Sequence, residues 1–342
     1  MNVKSILIKG SPLMLVGEAP GEDETYVGKP FVGAAGGLLS HILRTCDIDR
    51  SKCSLANVFS TRPPANNVFH FFQGKRESKK QEQPYPAYQA KFLKPEFFPE
   101  IARLKEEVAF VHPKVIIALG GTALWALTGL PKISDWRGTC VEGPGGIPVL
   151  PTFHPAAILR DYANLPIVIA DEDRAKRRLE GPLVTQNKRI LIPQSKADLE
   201  QLFNDLKDAP LIAADVETED RQITCISLAP NPFLSYVIPL WNKNEPGNSA
   251  WSLSTEAFIY LKLRELAWEK RLLFHNGTYD LTYLMEYAIV PRLTPEDTML
   301  MQHAAQPEMR KSLGFMASLY LDNAAWKYMG RKAKKDIDKT DE

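Results

Sequence analysis

Three short apolar runs constrain this chain more than any other feature: PLMLVGEAP from Pro12, KVIIALG from Lys114 and IPVLPTFHP from Ile147. Each is too short for a helix and stops at glycine, proline or histidine, the pattern of a strand buried on both faces. Between them, GGLLSHILRTCDI and FFPEIARLKEEVAFVHP repeat apolar residues at helical spacing. Strands alternating with helices imply a mainly parallel sheet covered on both sides, a three-layer α/β/α domain. Such sheets take ligands beyond the carboxyl ends of their strands. The loops GEAPGEDE, NVFSTRPP and FHPAAILRD, which all follow strands, therefore converge on one rim.

A second pattern starts at RILIPQ from Arg189. Helix SKADLEQLFNDLKD has Ser195 as N-cap with Asp198 three residues on, a capping box. LIAADVETE, ITCISLAP and LSYVIPL lie close enough together for an antiparallel meander. Helical patterns STEAFIYLKLRELAWEK, TYDLTYLMEYAI, EDTMLMQHAAQ and SLGFMASLYL follow, with strand RLLFHN after the first. A length of 342 residues fits two domains. The charged stretch DEDRAKRRLEGPLVTQNK from Asp171 reads as the linker, which divides the chain into residues 1–182 and 183–342. Residues 66–94, polar and without clear period, read as a long surface insertion. The tail GRKAKKDIDKTDE reads as disordered.

With 42 basic and 41 acidic residues the net charge is +1, so any nucleic-acid surface is a local patch. No apolar run approaches the length of about 20 residues that spans a bilayer. MNVKSILIKGSP lacks the apolar core of a secretion signal, and the expected location is cytoplasmic, without membrane contact. Four cysteines with no C-x-x-C pair argue against zinc, an iron–sulfur cluster or a disulfide framework.

The first rim loop, GEAPGEDETYVGKPFVGAAGG, matches neither a dinucleotide fingerprint nor a Walker loop. Gly17 and Gly21 permit close approach of backbone to a ligand. Glu18 directly follows a buried strand, Phe31 offers an aromatic face, and His154 occupies the analogous strand end later in the chain. Taken singly, Asn57 is as well explained as a turn-capping amide, and His154 as a structural histidine before proline.

As an ordered set, GEAPGEDE…GKPFVG, NVFSTRPPANN and HPAAILR resemble the uracil-DNA glycosylase superfamily, most closely its family 4, over residues 11 to 180. The resemblance implies an enzyme that flips uracil out of DNA and hydrolyses its N-glycosidic bond. By that resemblance Glu18 stabilises the sugar cation and orients water, and His154 donates to uracil O2. Phe31 stacks on the base, Asn57 bonds its edge, and Glu24 sits near C5. Gly17, Gly21 and Arg160 face the DNA backbone. The family's iron–sulfur cluster is not expected, because no cysteine precedes the first strand. The insertion adds His70, Lys75, Arg76, Lys79 and Lys80 among Phe69, Phe71 and Phe72; this suits single-stranded DNA or a solvated loop.

In the second half, Asp215 and Glu217 of AADVETED fall on one face of a strand. An isolated pair of this kind is as readily a solvated strand end. FHNGTYDLTYL adds Asp280, with Asn276 at i−4 and so on the same helical face. From Arg189 to Tyr328 the motifs DVET, HNGTYDL and EDTMLMQHA resemble the DEDD-type 3′–5′ exonucleases that proofread for family A DNA polymerases. This implies an RNase H-like mixed sheet. Mg²⁺ or Mn²⁺ would be held by Asp215, Glu217 and Asp280, with Asn276 near the DNA end. The family's further carboxylate is not found at its spacing, so the expected domain ends before its last motif and its activity is weak or absent. Together the two halves resemble the N-terminal part of some bacteriophage family A polymerases. The expected partners are DNA and a polymerase module, in a host-cell cytoplasm; the alternative is a non-catalytic module that binds uracil or template.

Overall fold

The computed structural model describes residues 2–79, 82–181, 188–242 and 244–321. The chain divides into two compact units, one within Met1–Val184 and Gly314–Glu342, the other within Thr185–Leu313.

The first unit is built on a five-stranded sheet of β1 (Leu13–Gly17), β2 (Ser54–Asn57), β3 (Val115–Leu119), β4 (Val141–Glu142) and β5 (Pro148–Thr152). Their spatial order is β2-β1-β3-β5-β4, parallel except for the antiparallel β4–β5 edge. Every residue of β1, β2 and β3 is buried, because alternate side chains enter two different cores. Met14, Val16, Ile116 and Ala118 pack on one face, against helices α3 (Phe98–Val111) and α4 (Gly121–Thr128). Leu13, Leu15, Ile117 and Leu119 pack on the other, with α2 (Ala34–Thr45) and α6 (Leu165–Glu180). The short helices α1 (Glu22–Val27) and α5 (Pro155–Ile158) follow β1 and β5. The expected three-layer architecture is therefore present.

Three expectations for this unit need correction. The stretch from Asp171 is not a linker: up to Glu180 it is the last half of α6, with Asp171, Glu172 and Arg174 buried. Arg137 Nε donates to Asp171 at 2.9 Å and Thr152 Oγ1 at 2.8 Å, so its charges are neutralised inside rather than hydrated. Residues 182–187 of the expected linker, and the tail from residue 322, lie outside the described residues. The insertion is not a surface loop either. Phe71, Phe72, Tyr88 and Leu93 are buried in the first core, and Phe72–Gln73 pairs with Phe92–Leu93 to close the loop. Aromatic anchors at irregular intervals, not one amphipathic face, hold it down. Phe71 and Phe72 are thus unavailable to bases; His70, Lys75, Arg76 and Lys79 are exposed, and Lys80 lies outside the described residues. Finally, helix α11 (Leu313–Tyr320), expected in the second domain, belongs almost entirely to the first unit. Arg137 Nη1 donates to Ser318 Oγ at 2.6 Å, and Arg174 Nη2 to the Leu321 carbonyl at 2.9 Å.

The second unit holds a six-stranded mixed sheet of β6 (Arg189–Leu191), β7 (Leu211–Glu219), β8 (Gln222–Asn231), β9 (Leu234–Pro239), β10 (Arg271–Phe274) and β11 (Glu296–Asp297). Strands β7, β8 and β9 form the expected antiparallel meander, β10 joins β7 in parallel, and the order is β11-β10-β7-β8-β9-β6. A three-stranded meander extended by parallel strands is the RNase H-like arrangement. Helix α7 (Lys196–Leu206) starts with the Ser195–Asp198 capping box, and buries Leu199, Leu202, Phe203 and Leu206. With α8 (Leu253–Glu269) it covers the sheet, while α9 (Thr278–Glu286) and α10 (Thr298–Ala305) follow β10 and β11. Among the described residues no helix is long and apolar enough to cross a membrane.

Candidate active site

Parallel pairing sets Gly17 at the end of β1 beside Asn57 at the end of β2. β3 ends at Leu119 and β5 at Thr152, so Gly120 and His154 emerge on the same rim. There a cavity of about 310 Å³ is lined by Glu18, Gly21, Glu24, Gly120, His154 and Arg160. The acid and the imidazole singled out from sequence therefore face one cavity.

Gly17 sits where Asn57 and Phe31 meet. A Cβ there would lie 2.4 Å from Asn57 Oδ1 and 2.7 Å from Phe31 Cζ, so no larger residue fits. Asn57 is buried, and its Nδ2 has no partner among the described residues. A buried donor left unpaired costs about 1–3 kcal/mol; a ligand carbonyl would satisfy it. Phe31 is held in the left-handed region at φ 56°. Its N–H donates to Glu24 and its carbonyl accepts from Arg50 Nη2 at 2.6 Å. The Phe31 and His154 rings are stacked with centroids 6.3 Å apart.

His154 is the N-cap of α5, and its Nδ1 accepts the Ala156 N–H at 3.1 Å. That bond leaves the proton of the neutral ring on Nε2. Burial, then the Arg160 charge, push its pKa down to about 4, so the ring is a neutral donor at pH 7. Burial pushes Glu18 up, against the Thr122 hydroxyl, which donates to Oε2 at 2.5 Å, and the Arg160 charge.

Two glycine-loop expectations change. Glu24 lines the cavity, but its carboxylate oxygens accept from the Gly21 and Phe31 N–H groups. It therefore straps the loop that carries Phe31. The Gly21 N–H is spent on that strap, and the Cα of Gly17 lies against Asn57 and Phe31. Arg160 is exposed at the cavity edge. Thr122, Tyr88 and Arg50 were not anticipated. The signal for Thr122 is a fourth strand-following loop, GGT after KVIIAL; Tyr88 and Arg50 carry no local signal.

A model of the uracil DNA glycosylase superfamily matches residues 6–178. The type-4 uracil-DNA glycosylase of Thermotoga maritima is 36% identical over 171 residues, which are 48% of this chain and 76% of that protein. The chain belongs to the uracil DNA glycosylase superfamily. The type-4 uracil-DNA glycosylase of Pyrobaculum aerophilum is 35% identical over 159 residues, 44% of this chain and 69% of that protein. Within this superfamily member the matched residues hold every strand of the first sheet and all the residues that line the cavity. Among solved structures, the Aedes aegypti Nibbler EXO domain is similar with a TM-score of 0.32 at 15% identity, over 42% of this chain and 74% of that one. Escherichia coli RNase D, an exoribonuclease, is similar with a TM-score of 0.30 at 17% identity, over 40% of this chain and 34% of that one. The second unit's fold is defined by its own strand order.

In that unit Val216 points into the core, and alternation leaves Asp215 and Glu217 on the exposed face of β7. Asp280 is buried and its Oδ1 accepts the Val216 N–H at 2.9 Å; burial is the main cause that raises its pKa. Asp297 accepts backbone N–H groups of Asn276, Gly277, Met299 and Leu300 at 2.7–3.3 Å. Burial pushes its pKa up, but these donors prevail and hold it below the usual range. Among the described residues no three His, Cys, Asp or Glu side chains gather to hold a metal ion. Asp280 nevertheless lies near the expected acids: it accepts from Val216, the residue between Asp215 and Glu217, and the charges of Asp297 and Glu217 add to the rise in its pKa. Asn276 does not share a helical face with Asp280. It precedes α9 with φ 62°, and only Gly277 leads into the helix.

The Fe–S cluster of the resembled family finds no fitting donors either. The Cys46 and Cys53 thiols donate to the carbonyls of Ile169 and Asp49, and burial, the largest cause, pushes both up to about 12.

Proposed function

We propose that the first unit hydrolyses the N-glycosidic bond of uracil in DNA. Cleavage builds positive charge on the sugar and negative charge on the departing base. The Glu18 carboxylate suits the first, from below the sugar, where it also orients the attacking water. The neutral His154 ring suits the second, with its Nε2 proton directed at uracil O2. Asn57 reads the base edge and Phe31 stacks on its face, held by Glu24 and Arg50. The observation that carries this reading is that Glu18 and His154 line a single cavity; the buried Asn57 amide, whose donor is unsatisfied, lies behind its wall against Gly17, the residue before Glu18.

An end-labelled oligonucleotide with one uracil tests it. Alkali-labile breaks at that position are expected without added metal, and Glu18→Gln lowers the rate by about 10²–10³, the scale of one preorganised charge. Uracil-dependent retention with no abasic product would instead leave a binding module.

For the second unit, the DEDD-like motifs on an RNase H-like sheet support a module that engages a DNA 3′ end. With the family's further carboxylate not found at its spacing, 3′ shortening is slow or absent, and a weak Mg²⁺-dependent shortening abolished in Asp280→Asn is the most it shows. A replicative polymerase is the partner that such a pair of modules suits, tested by co-purification of the full chain with one.

A further inference from the structure

The insertion reaches the cavity. Thr122, wholly buried in the first turn of α4, places its hydroxyl 2.5 Å from Glu18 Oε2 and 3.3 Å from the Tyr88 phenol oxygen. One hydroxyl proton serves one acceptor, and the shorter distance and the carboxylate's charge assign it to Glu18. The Tyr88 phenol oxygen is the more distant acceptor of the same hydroxyl and so competes with the carboxylate for its proton. Tyr88 is in turn fixed by the aromatic core, with ring centroids 5.4 Å from Phe72 and 5.7 Å from Trp125; the Trp125 indole N–H donates to the Pro86 carbonyl at 2.9 Å. Gly121 leaves room for this approach, since a Cβ there would lie 2.9 Å from the phenol oxygen.

We propose that Thr122 is the positioning residue for the catalytic acid, its hydroxyl aiming Glu18 at the sugar while the Tyr88 phenol beside it competes for the same proton. The proposal rests on Glu18 being the acid of uracil excision. Besides Tyr88, the charged and titratable groups that share Glu18's surroundings are His154 and Arg160 from the α5 region and Glu24 from α1. None of these donates a hydrogen bond to the Glu18 carboxylate, whereas Thr122 does.

The test is single-turnover excision from a uracil-containing single-stranded oligonucleotide, followed from pH 4 to 9 with the full chain. Thr122→Val is expected to slow the reaction about tenfold at pH 7, the loss of one charge-assisted hydrogen bond, with little change in substrate affinity. Activity needs ionised Glu18, so loss of the donor also moves the acid limb of the profile to higher pH. Thr122→Ser restores rate and limb. Tyr88→Phe, which removes the competing acceptor and keeps the aromatic packing, moves the acid limb the opposite way, to lower pH, and remains readable if Thr122→Val fails to fold. A Thr122→Val enzyme with the parent rate and limb, or a Thr122→Ser enzyme as slow as Thr122→Val, overturns the proposal. Glu18→Gln in parallel separates the two levels. If it keeps the parent rate, the assignment of the acid fails and the positioning role with it; if it is inactive while Thr122→Val is unaltered, only the positioning role fails.

Discussion

His154 and Glu18 show burial acting on opposite charges at neighbouring atoms. Burial and Arg160 hold His154 at about 4, so the ring stays neutral across the range where an unfolded histidine, at 6.5, takes up a proton. Between pH 6.5 and 4 the unfolded chain therefore binds more protons, and the stability that neutral His154 contributes is lost as pH falls through that window. The acid limb of activity then belongs to Glu18, whose pKa burial raises, and His154→Ala should lower the rate by about 10²–10³ without moving it, checked by a pH–rate profile. Glu172 is the reverse case. It is fully buried with neither carboxylate oxygen paired, and burial, then Asp171, raise it to about 8. Its neutral form's contribution is complete below pH 4.5 and disappears as pH rises through 8. Glu172→Gln should therefore raise the melting temperature at pH 8.5 by several degrees and leave it unchanged at pH 4, measured by calorimetry. At Gly17 the constraint is purely steric. Gly17→Ala drives a methyl into Asn57 and Phe31, and should cost at least tenfold in excision while circular dichroism stays native.

The element that matters most to the first unit is the insertion. Phe71 stacks on Phe59 with centroids 3.9 Å apart and meets Phe97 edge-on at 4.8 Å, so the loop is part of the core. Phe71→Ala should cost about 3–5 kcal/mol in urea unfolding, as for any large buried aromatic. A surface loop would lose almost nothing. The expectation of exposure came from a polar average over residues 66–94, and averaging hides a few aromatics with irregular spacing. The strands were far easier to read. Five consecutive buried residues in β1 and β3 leave no other secondary structure that hides both faces. In the second unit the alternation of Val216 with Asp215 and Glu217 was equally legible. The state of the acids was not, because Asp280 answers to a backbone N–H 64 residues away.

At the scale of the whole molecule, α11 is tied to the first unit through buried charge. Asp171 accepts from Arg137 and Thr152, and Arg137 and Arg174 carry the tie onward to Ser318 and the Leu321 carbonyl. Breaking such a network leaves the buried Arg137 guanidinium without its carboxylate, so Asp171→Ala should destabilise the first unit by about 3–5 kcal/mol. Guanidinium titration monitored near the Trp136 and Trp125 fluorescence checks this, and the loss of Ser318 anchoring should raise proteolysis after Lys311.

Local order was within reach of the residue string alone. Apolar period marked the strands and most helices, glycine marked the turn at the base of the cavity, and strand-following loops marked the rim, because each of these signals needs only neighbours in the chain. What folding added are the pairings between distant residues. Glu18 meets a hydroxyl 104 positions later, Asp171 finds its arginine 34 positions earlier, and Phe31 is clamped by an arginine 19 positions on. A charged helix looks like a linker until its partners are known, and the backbone donor of Asp280 cannot be named until the fold brings Val216 to it. Hydrogen bonds and ion pairs act over a few ångströms of space and are indifferent to separation along the chain, so only the folded arrangement distinguishes these cases.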